Sequence, residues 1–288
     1  MSVNEWIRRR VRAGLTILGS VRPLVPILFD ERVRRVLSRL PGAGSLYGDG
    51  WHRRHPFDRE NGTDTSGTVL VATMRASRDH PAFDHASMYG GSQPSLVRTA
   101  LDVLPDVSNA TFLDLGCGKG RILLVAAERR FREVVGVELS PDLARVARAN
   151  IALVATRYPA RSPIRVETGD ASAFPFPAGD LVIFLYNPFG PAPVAKLVAA
   201  IERALAEGPR ALYVVYYNPV SGDLFDASPA LRRRWARMVP IAPNERGYGP
   251  GLDDAIVIWQ GGTAPAPPET PRQKIIVIPG QRAELVDS

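Results

Sequence analysis

The sequence predicts an α/β protein built on a parallel, doubly wound sheet. Short apolar runs, Thr111 to Leu115, Val134 to Glu138, Ile164 to Thr168, Leu181 to Tyr186 and Ala211 to Tyr217, alternate with stretches of helical character. The run Leu181 to Tyr186 is nearly all apolar, as suits a central strand covered on both faces. The first run ends in Gly116, Gly118 and Gly120 at alternate positions, and Arg121 to Ala127 follows at once. That order gives a strand, a glycine-rich turn and a helix start, a pocket for a polar small molecule.

A chain of 288 residues has room for one sizeable domain and an extension. A single cysteine excludes an internal disulfide framework and a cysteine-rich zinc site, and fits a reducing, cytoplasmic setting. His52, His55, His80 and His85 all precede the glycine-rich turn without metal-binding spacing, so no metal site is expected. The net charge of +7 is uneven: residues 1–60 hold 12 of the 36 basic and 6 of the 29 acidic residues, a balance of +6. The other 24 basic and 23 acidic residues leave the main body at +1, which gives no signal for nucleic acid.

Residues 1–68 read as a basic helical extension and linker. Trp6, Ile7, Val11, Leu15 and Leu18 recur at helical spacings among Arg8, Arg9, Arg10 and Arg12. The apolar stretch from Ala13 to Phe29 is broken by Arg22, Pro23 and Pro26, too short and interrupted for a membrane span, and it lacks a small-x-small cleavage site. Two readings of residues 1–40 stand: a peripheral anchor on an anionic membrane or acidic partner, or helices packed on the core. Residues 41–68, rich in Gly, Asp, Arg and His, read as a loop. Val69 to Met74 suits a short strand or the start of a lid. Tyr89 to Ser95 runs into a helix signalled by Ser92 or Gln93 before Pro94, either a plain cap or a loop closing over a ligand.

After the turn, Ser140-Pro141-Asp142 caps a helix over Leu143 to Tyr158. A helix over Val194 to Ala206 stops at Gly208-Pro209. Leu231 to Ile241 and Asp254 to Gln260 are the last two strands, joined by a turn-rich stretch from Asn244 to Leu252. The main domain thus spans 69–262. Residues 263–288 read as a stiff Pro-rich tail, with Lys274 to Ile278 as a marginal edge strand.

Chemistry-bearing residues fall at the carboxyl ends of the strands, where open α/β sheets bind ligands. Asp114 ends the first run. Glu138 ends the second, and its carboxylate can accept both hydroxyls of a ribose. Asp170 and Ala171 follow the third. Tyr186-Asn187-Pro188-Phe189 closes the fourth. Cys117 lies inside the turn; a helix N-terminus would lower its pKa, but it reads as a small backbone-contact residue.

Asp114 followed by Gly116, Gly118 and Gly120 resembles motif I of the class I S-adenosylmethionine (SAM)-dependent methyltransferases. The competing dinucleotide fingerprint places its third glycine one residue later. The resemblance covers about Tyr89 to Gln260. It implies a Rossmann-like, seven-stranded sheet with an antiparallel final strand, and SAM as cofactor. It also implies cofactor contacts from Asp114, Gly116, Cys117, Gly118, Gly120, Glu138, Leu139, Asp170, Ala171, Asn187 and Tyr89, with Asp170 and Ala171 on the adenine. Asn187-Pro188-Phe189 is similar to the Asn/Asp-Pro-Pro-Tyr/Phe motif of amino-methyltransferases, without the second proline. That implies a nitrogen acceptor on a protein or small molecule, Asn187 as its positioning residue, and Phe189 and Tyr186 as its platform. The pattern resembles a bacterial branch of the family and, distantly, the Dot1-like protein-lysine methyltransferases, whose preceding loop carries a tyrosine, here Tyr89. Three alternatives stand: an O-methyltransferase for a small metabolite, a SAM-binding protein without turnover tethered by residues 1–40, and a dehydrogenase, since Glu138 would also suit NAD.

Overall fold

The computed structural model describes residues 53–69, 82, 89–249, 252–270, 273–278 and 282–287. The basic segment 1–40, with the anchor expected there, and most of the lid expected from Val69 lie outside the described residues. Among the described residues no helix is long and apolar enough to cross a membrane.

The elements run in this order: α1 Pro56–Asn61, β1 Thr68–Val69, β2 Tyr89–Gly90, α2 Pro94–Asp102, β3 Thr111–Leu115, α3 Arg121–Ala126, β4 Glu133–Glu138, α4 Pro141–Arg157, β5 Ile164–Thr168 and β6 Leu181–Leu185. Then come α5 Pro191–Ala206, β7 Ala211–Tyr217, α6 Gly222–Asp226, β8 Leu231–Pro240, a 3₁₀ turn Pro243–Glu245, β9 Asp253–Gly262, β10 Gln273–Ile278 and β11 Arg282–Asp287. Seven strands form one sheet in the order β5-β4-β3-β6-β7-β9-β8. Neighbours from β5 to β7 are parallel, and β9 runs antiparallel to both β7 and β8. This is the doubly wound, seven-stranded sheet with a reversed final strand.

Burial explains the strand sequences. Every residue of β3 and of β6 is buried, so both read as unbroken apolar runs rather than as alternation. One face carries Phe112, Phe184, Val215 and Ile258 and is covered by α2, α3 and α4. The other carries Leu113, Ile183, Tyr216 and Trp259 and is covered by α5 and α6. Pro141 and Pro191 open α4 and α5 at positions where a missing N–H costs nothing, and the Ser140 hydroxyl accepts from the Leu143 N–H at 3.4 Å.

The tail departs from the expected edge strand. β10 pairs with β11 as a separate antiparallel hairpin rather than extending the main sheet. Ala283 and Leu285 of β11 enter the second core cluster, and the Ala283 N–H donates to Asn218 Oδ1 at 2.7 Å. The residues that dock are short and alternate over only a few positions, too brief a pattern to stand out in a Pro-rich segment.

β4 and α3 meet at Gly136. A Cβ there would come within 2.5 Å of Leu123 Cδ1 and 2.7 Å of Cys117 Sγ. Gly136→Ala is therefore expected to destabilise the fold by about 1–3 kcal/mol through overpacking. A lower urea midpoint at unchanged slope is the measurement, and an unaltered midpoint contradicts this packing.

Candidate functional site

The site is built on the turn between β3 and α3. The N–H groups of Gly116 and Cys117 both donate to the Val137 carbonyl, at 2.9 and 3.0 Å, which ties the turn to β4. Gly116 and Gly118 take φ of 91° and 53°, and each opens the turn to a different neighbour. A Cβ on Gly116 would lie 2.7 Å from Pro188 Cβ; one on Gly118 would lie 2.2 Å from Tyr89 Cε2. The loop after β6 and the tyrosine of β2 therefore rest directly on the turn.

Glu138 ends β4 beneath it. Its Oε2 accepts from the Gly118 N–H and its Oε1 from the Ser140 N–H, both at 2.8 Å. A carboxylate has about four acceptor positions, so two remain for a ligand. Burial raises the Glu138 pKa, against the pull of these N–H donors. Asp114 is buried at the end of β3, and no side-chain hydrogen bond to it occurs among the described residues. Burial first, then the nearby Glu138 carboxylate, pushes its pKa up to about 8. Cys117 differs from expectation: burial, then Asp114 and Glu138, push the thiol well up, so the helix N-terminus does not make it acidic.

Along the same edge, the Gly169 N–H donates to the Glu138 carbonyl at 2.9 Å, which joins the ends of β4 and β5. Asp170 Oδ1 accepts from the Ser172 N–H at 2.8 Å, leaving its second oxygen for other partners. Ala171 is buried and Leu139, which follows β4, is half-buried. On the other side of β3, Asn187 follows β6 with φ 42°, a left-handed conformation rare outside glycine. Its Oδ1 accepts from the Tyr216 hydroxyl at 2.9 Å, which fixes the amide's orientation. Tyr186 stacks on Tyr217 with centroids 4.2 Å apart and planes 14° apart. Tyr217 and Asp254 lie close enough to influence each other's ionisation, and burial pushes the Asp254 pKa up to about 6. Phe189, expected as part of the acceptor platform, is buried in the core with Leu185 and Val194, whereas Tyr186 is half-buried and packs against the opposite core cluster.

A second wall comes from residues 53–67, which the sequence presents as linker. Asp58 is fully buried in α1 and accepts from Thr63 Oγ1 at 2.7 Å, from the Thr65 N–H at 3.0 Å, from Thr65 Oγ1 at 2.6 Å and from Ser66 Oγ. Burial opposes its ionisation, but the hydroxyl donors and Arg121 outweigh it and hold the pKa below the usual carboxylate range. Tyr89, half-buried, donates from its hydroxyl to the Thr65 carbonyl at 2.7 Å. His55 caps α1: its Nδ1 accepts from the Phe57 N–H at 3.1 Å, so Nε2 carries the proton donated to Gln93 Oε1 at 2.9 Å. Gln93 is thus the residue before α2, with its side chain turned to His55 rather than capping its own helix. The signals for α1 were Pro56 at a helix start and Asn61-Gly62 at a helix end; nothing local marks Asp58 as buried.

Residues 112–208 match a family model described as methyltransferase domain. Ajmaline N-methyltransferase of Rauvolfia serpentina is 25% identical over 178 residues, which are 57% of this chain and 59% of that protein. The chain thus spans about three fifths of the curated relative's length. Among solved structures, the YcgJ protein of Bacillus subtilis is 15% identical, with 59% of this chain and 98% of that one covered and a TM-score of 0.41. An RNA methyltransferase of Salinibacter ruber, in complex with S-adenosyl-L-homocysteine, is 20% identical, with 61% and 95% covered and a TM-score of 0.37.

Burial first, then Arg121, lowers the His55 pKa from 6.5 to about 4. The folded chain therefore holds fewer protons here than the unfolded chain between these values, and stability is lost as pH falls from 6.5 towards 4. By pH 5 the loss is about 2 kcal/mol. Urea midpoints at pH 7 and pH 5 should fall further for the wild type than for His55→Gln, which cannot titrate. Equal falls would show that the ring is not held neutral by its burial.

Proposed function

We propose that this chain, whose residues 112–208 match a methyltransferase domain, is a class I SAM-dependent methyltransferase that transfers the methyl group of SAM to a nitrogen of a protein or small-molecule acceptor. One observation supports the cofactor above others. Asp114 is a buried carboxyl group at the ligand edge of the sheet with no side-chain hydrogen bond among the described residues, and a bound cation would be a fitting partner for it. SAM, when bound, supplies a methyl group on a sulfonium and takes the C–S electron pair as it leaves.

The chain's part is alignment. Asp170 and Ala171 would hold the adenine edge, and the unused acceptor positions of Glu138 the ribose. The amino-acid half would then fall over the turn, between Asp114 and Tyr89. Pro188 rests on Gly116, so the Asn187 loop would stand next to a methyl donor bound over the turn. The Tyr216 hydroxyl occupies one lone pair of Asn187 Oδ1, and the other would accept an N–H from the acceptor and point its lone pair at the methyl carbon. The proton leaving the nitrogen would pass along the Tyr186–Tyr217 stack towards the Asp254 carboxyl group. The nitrogen reading draws further support from the N-methyltransferase among the relatives.

Two outcomes test this. With a pKa of about 8, Asp114 is mostly protonated at pH 7, and binding a cation should ionise it. S-adenosylhomocysteine should then release roughly one proton per site at pH 7, and its affinity should rise from pH 6 to pH 8. Calorimetry in phosphate and Tris buffers reads the proton, and Asp114→Asn should abolish its release; binding without proton exchange in the wild type counts against the assignment. For the acceptor side, Asn187→Gly keeps the left-handed backbone and removes the amide. Single-turnover transfer from labelled SAM to the accepting fraction of a cell lysate should slow by about 10²-fold at unchanged S-adenosylhomocysteine affinity. A wild-type rate, or methylation at oxygen or carbon, rules out the nitrogen-presenting role.

A further inference from the structure

Beyond the glycines, the turn sequence Gly118-Lys119-Gly120-Arg121 contains two cations, and both reach back to residues 64–66 rather than outward. Lys119 Nζ donates to Asp64 Oδ1 at 3.0 Å and to the Ser66 carbonyl at 2.8 Å. Arg121 is buried; its Nε donates to Thr65 Oγ1 at 2.7 Å, one terminal nitrogen to the Thr65 carbonyl at 2.8 Å and the other to the Ser92 carbonyl at 3.2 Å. Asp58 lies 3.9 Å from the same guanidinium. From α4, Asn150 accepts from the Asp64 N–H and donates to the Asp64 carbonyl, both at 2.9 Å.

The Thr65 carbonyl therefore receives two donors, the Arg121 guanidinium and the Tyr89 hydroxyl, while the Thr65 hydroxyl joins Arg121 to Asp58. We infer that Thr65 and Arg121 are positioning residues of the cofactor site: together they hold residues 63–67 as a strap and place the Tyr89 ring over Gly118, where it covers the amino-acid half of the cofactor and leaves the adenosine half alone. This rests on the cofactor reading above. A buried ion pair is a costly way to fasten a strap that apolar side chains could close; what it supplies is a single fixed register. The register matters here because the Tyr89 ring sits in van der Waals contact with the turn, so a shift of the strap moves the ring off the pocket.

The division along the sheet edge makes the inference testable without knowing the acceptor. Asp170 and Glu138 lie at the ends of β5 and β4, whereas Tyr89 lies over the turn after β3. In the full-length protein, Thr65→Val removes the hydroxyl that links Asp58 and Arg121, and Tyr89→Phe removes one hydrogen bond while keeping the ring. Each should weaken S-adenosylhomocysteine by about 5–10-fold, the worth of one such bond, and adenosine by less than about 2-fold. The loss should appear as faster dissociation, and Thr65→Ser should restore both affinity and rate. Equal weakening of the two ligands would show a merely structural role and overturn the inference, as would unchanged S-adenosylhomocysteine affinity in both variants. If Thr65→Val does not fold, Tyr89→Phe decides alone by the same comparison. A wild type that binds neither ligand defeats the cofactor reading itself and this inference with it; a wild type that binds both, with variants that fail to discriminate, defeats only the inference.

Discussion

The ligand edge of this protein depends on how closely its parts approach one turn of backbone. Gly116 and Gly118 have no Cβ where Pro188 and Tyr89 need to lie, and Gly136 has none where Cys117 and Leu123 need to lie. Three glycines thus let the loop after β6 and the Tyr89 ring rest on the turn, and let α3 and the turn close against β4. The turn stays in place because its N–H groups are spent on fixed acceptors, two on the Val137 carbonyl and one on Glu138. These bonds leave the buried Asp114 side chain with no hydrogen bond among the described residues.

The two flanks of the turn are organised by opposite means. Towards β5 the supporting groups are carboxylates and backbone N–H groups, with open space at Gly169. Towards β7 they are aromatic: Tyr216 holds Asn187, Tyr186 stacks on Tyr217, and Trp259 and Phe225 fill the layer behind at a centroid distance of 5.2 Å. A nucleoside asks for the first kind of surface. A nucleophile that must lose a proton in a water-poor space asks for the second, because a rigid ring with a hydroxyl both orients and relays.

Much of the sheet was legible because its strands are covered on both faces, and an apolar run such as Leu181 to Leu185 or Ala211 to Tyr217 has no other good home. The acids at the strand ends could be located for the same reason: once the strands are known, so is the edge. What could not be read is side-chain commitment. Phe189 belongs to one core cluster and the half-buried Tyr186 packs against the other, although they flank the same Asn-Pro pair. The strap was missed because its hydrogen bonds join Asp58 and Thr65 to an arginine far along the chain, and hydroxyl-rich loops with buried partners look like those without. The tail hairpin was missed because two small apolar residues, Ala283 and Leu285, carry its docking.

Cys117 gives the turn a reporter that nothing else in the chain can imitate. It is the protein's single thiol, it is buried against Gly136 of β4, and burial, then the Asp114 and Glu138 carboxyl groups, keep it from ionising. An alkylating reagent reacts with thiolate, so the folded turn is shielded twice, by access and by protonation. Modification must wait for the turn to part from β4, and its rate then measures how often that happens. The position that contributes no nucleophile to the chemistry thereby becomes a clock for the opening of the cradle, started by mixing and read by mass.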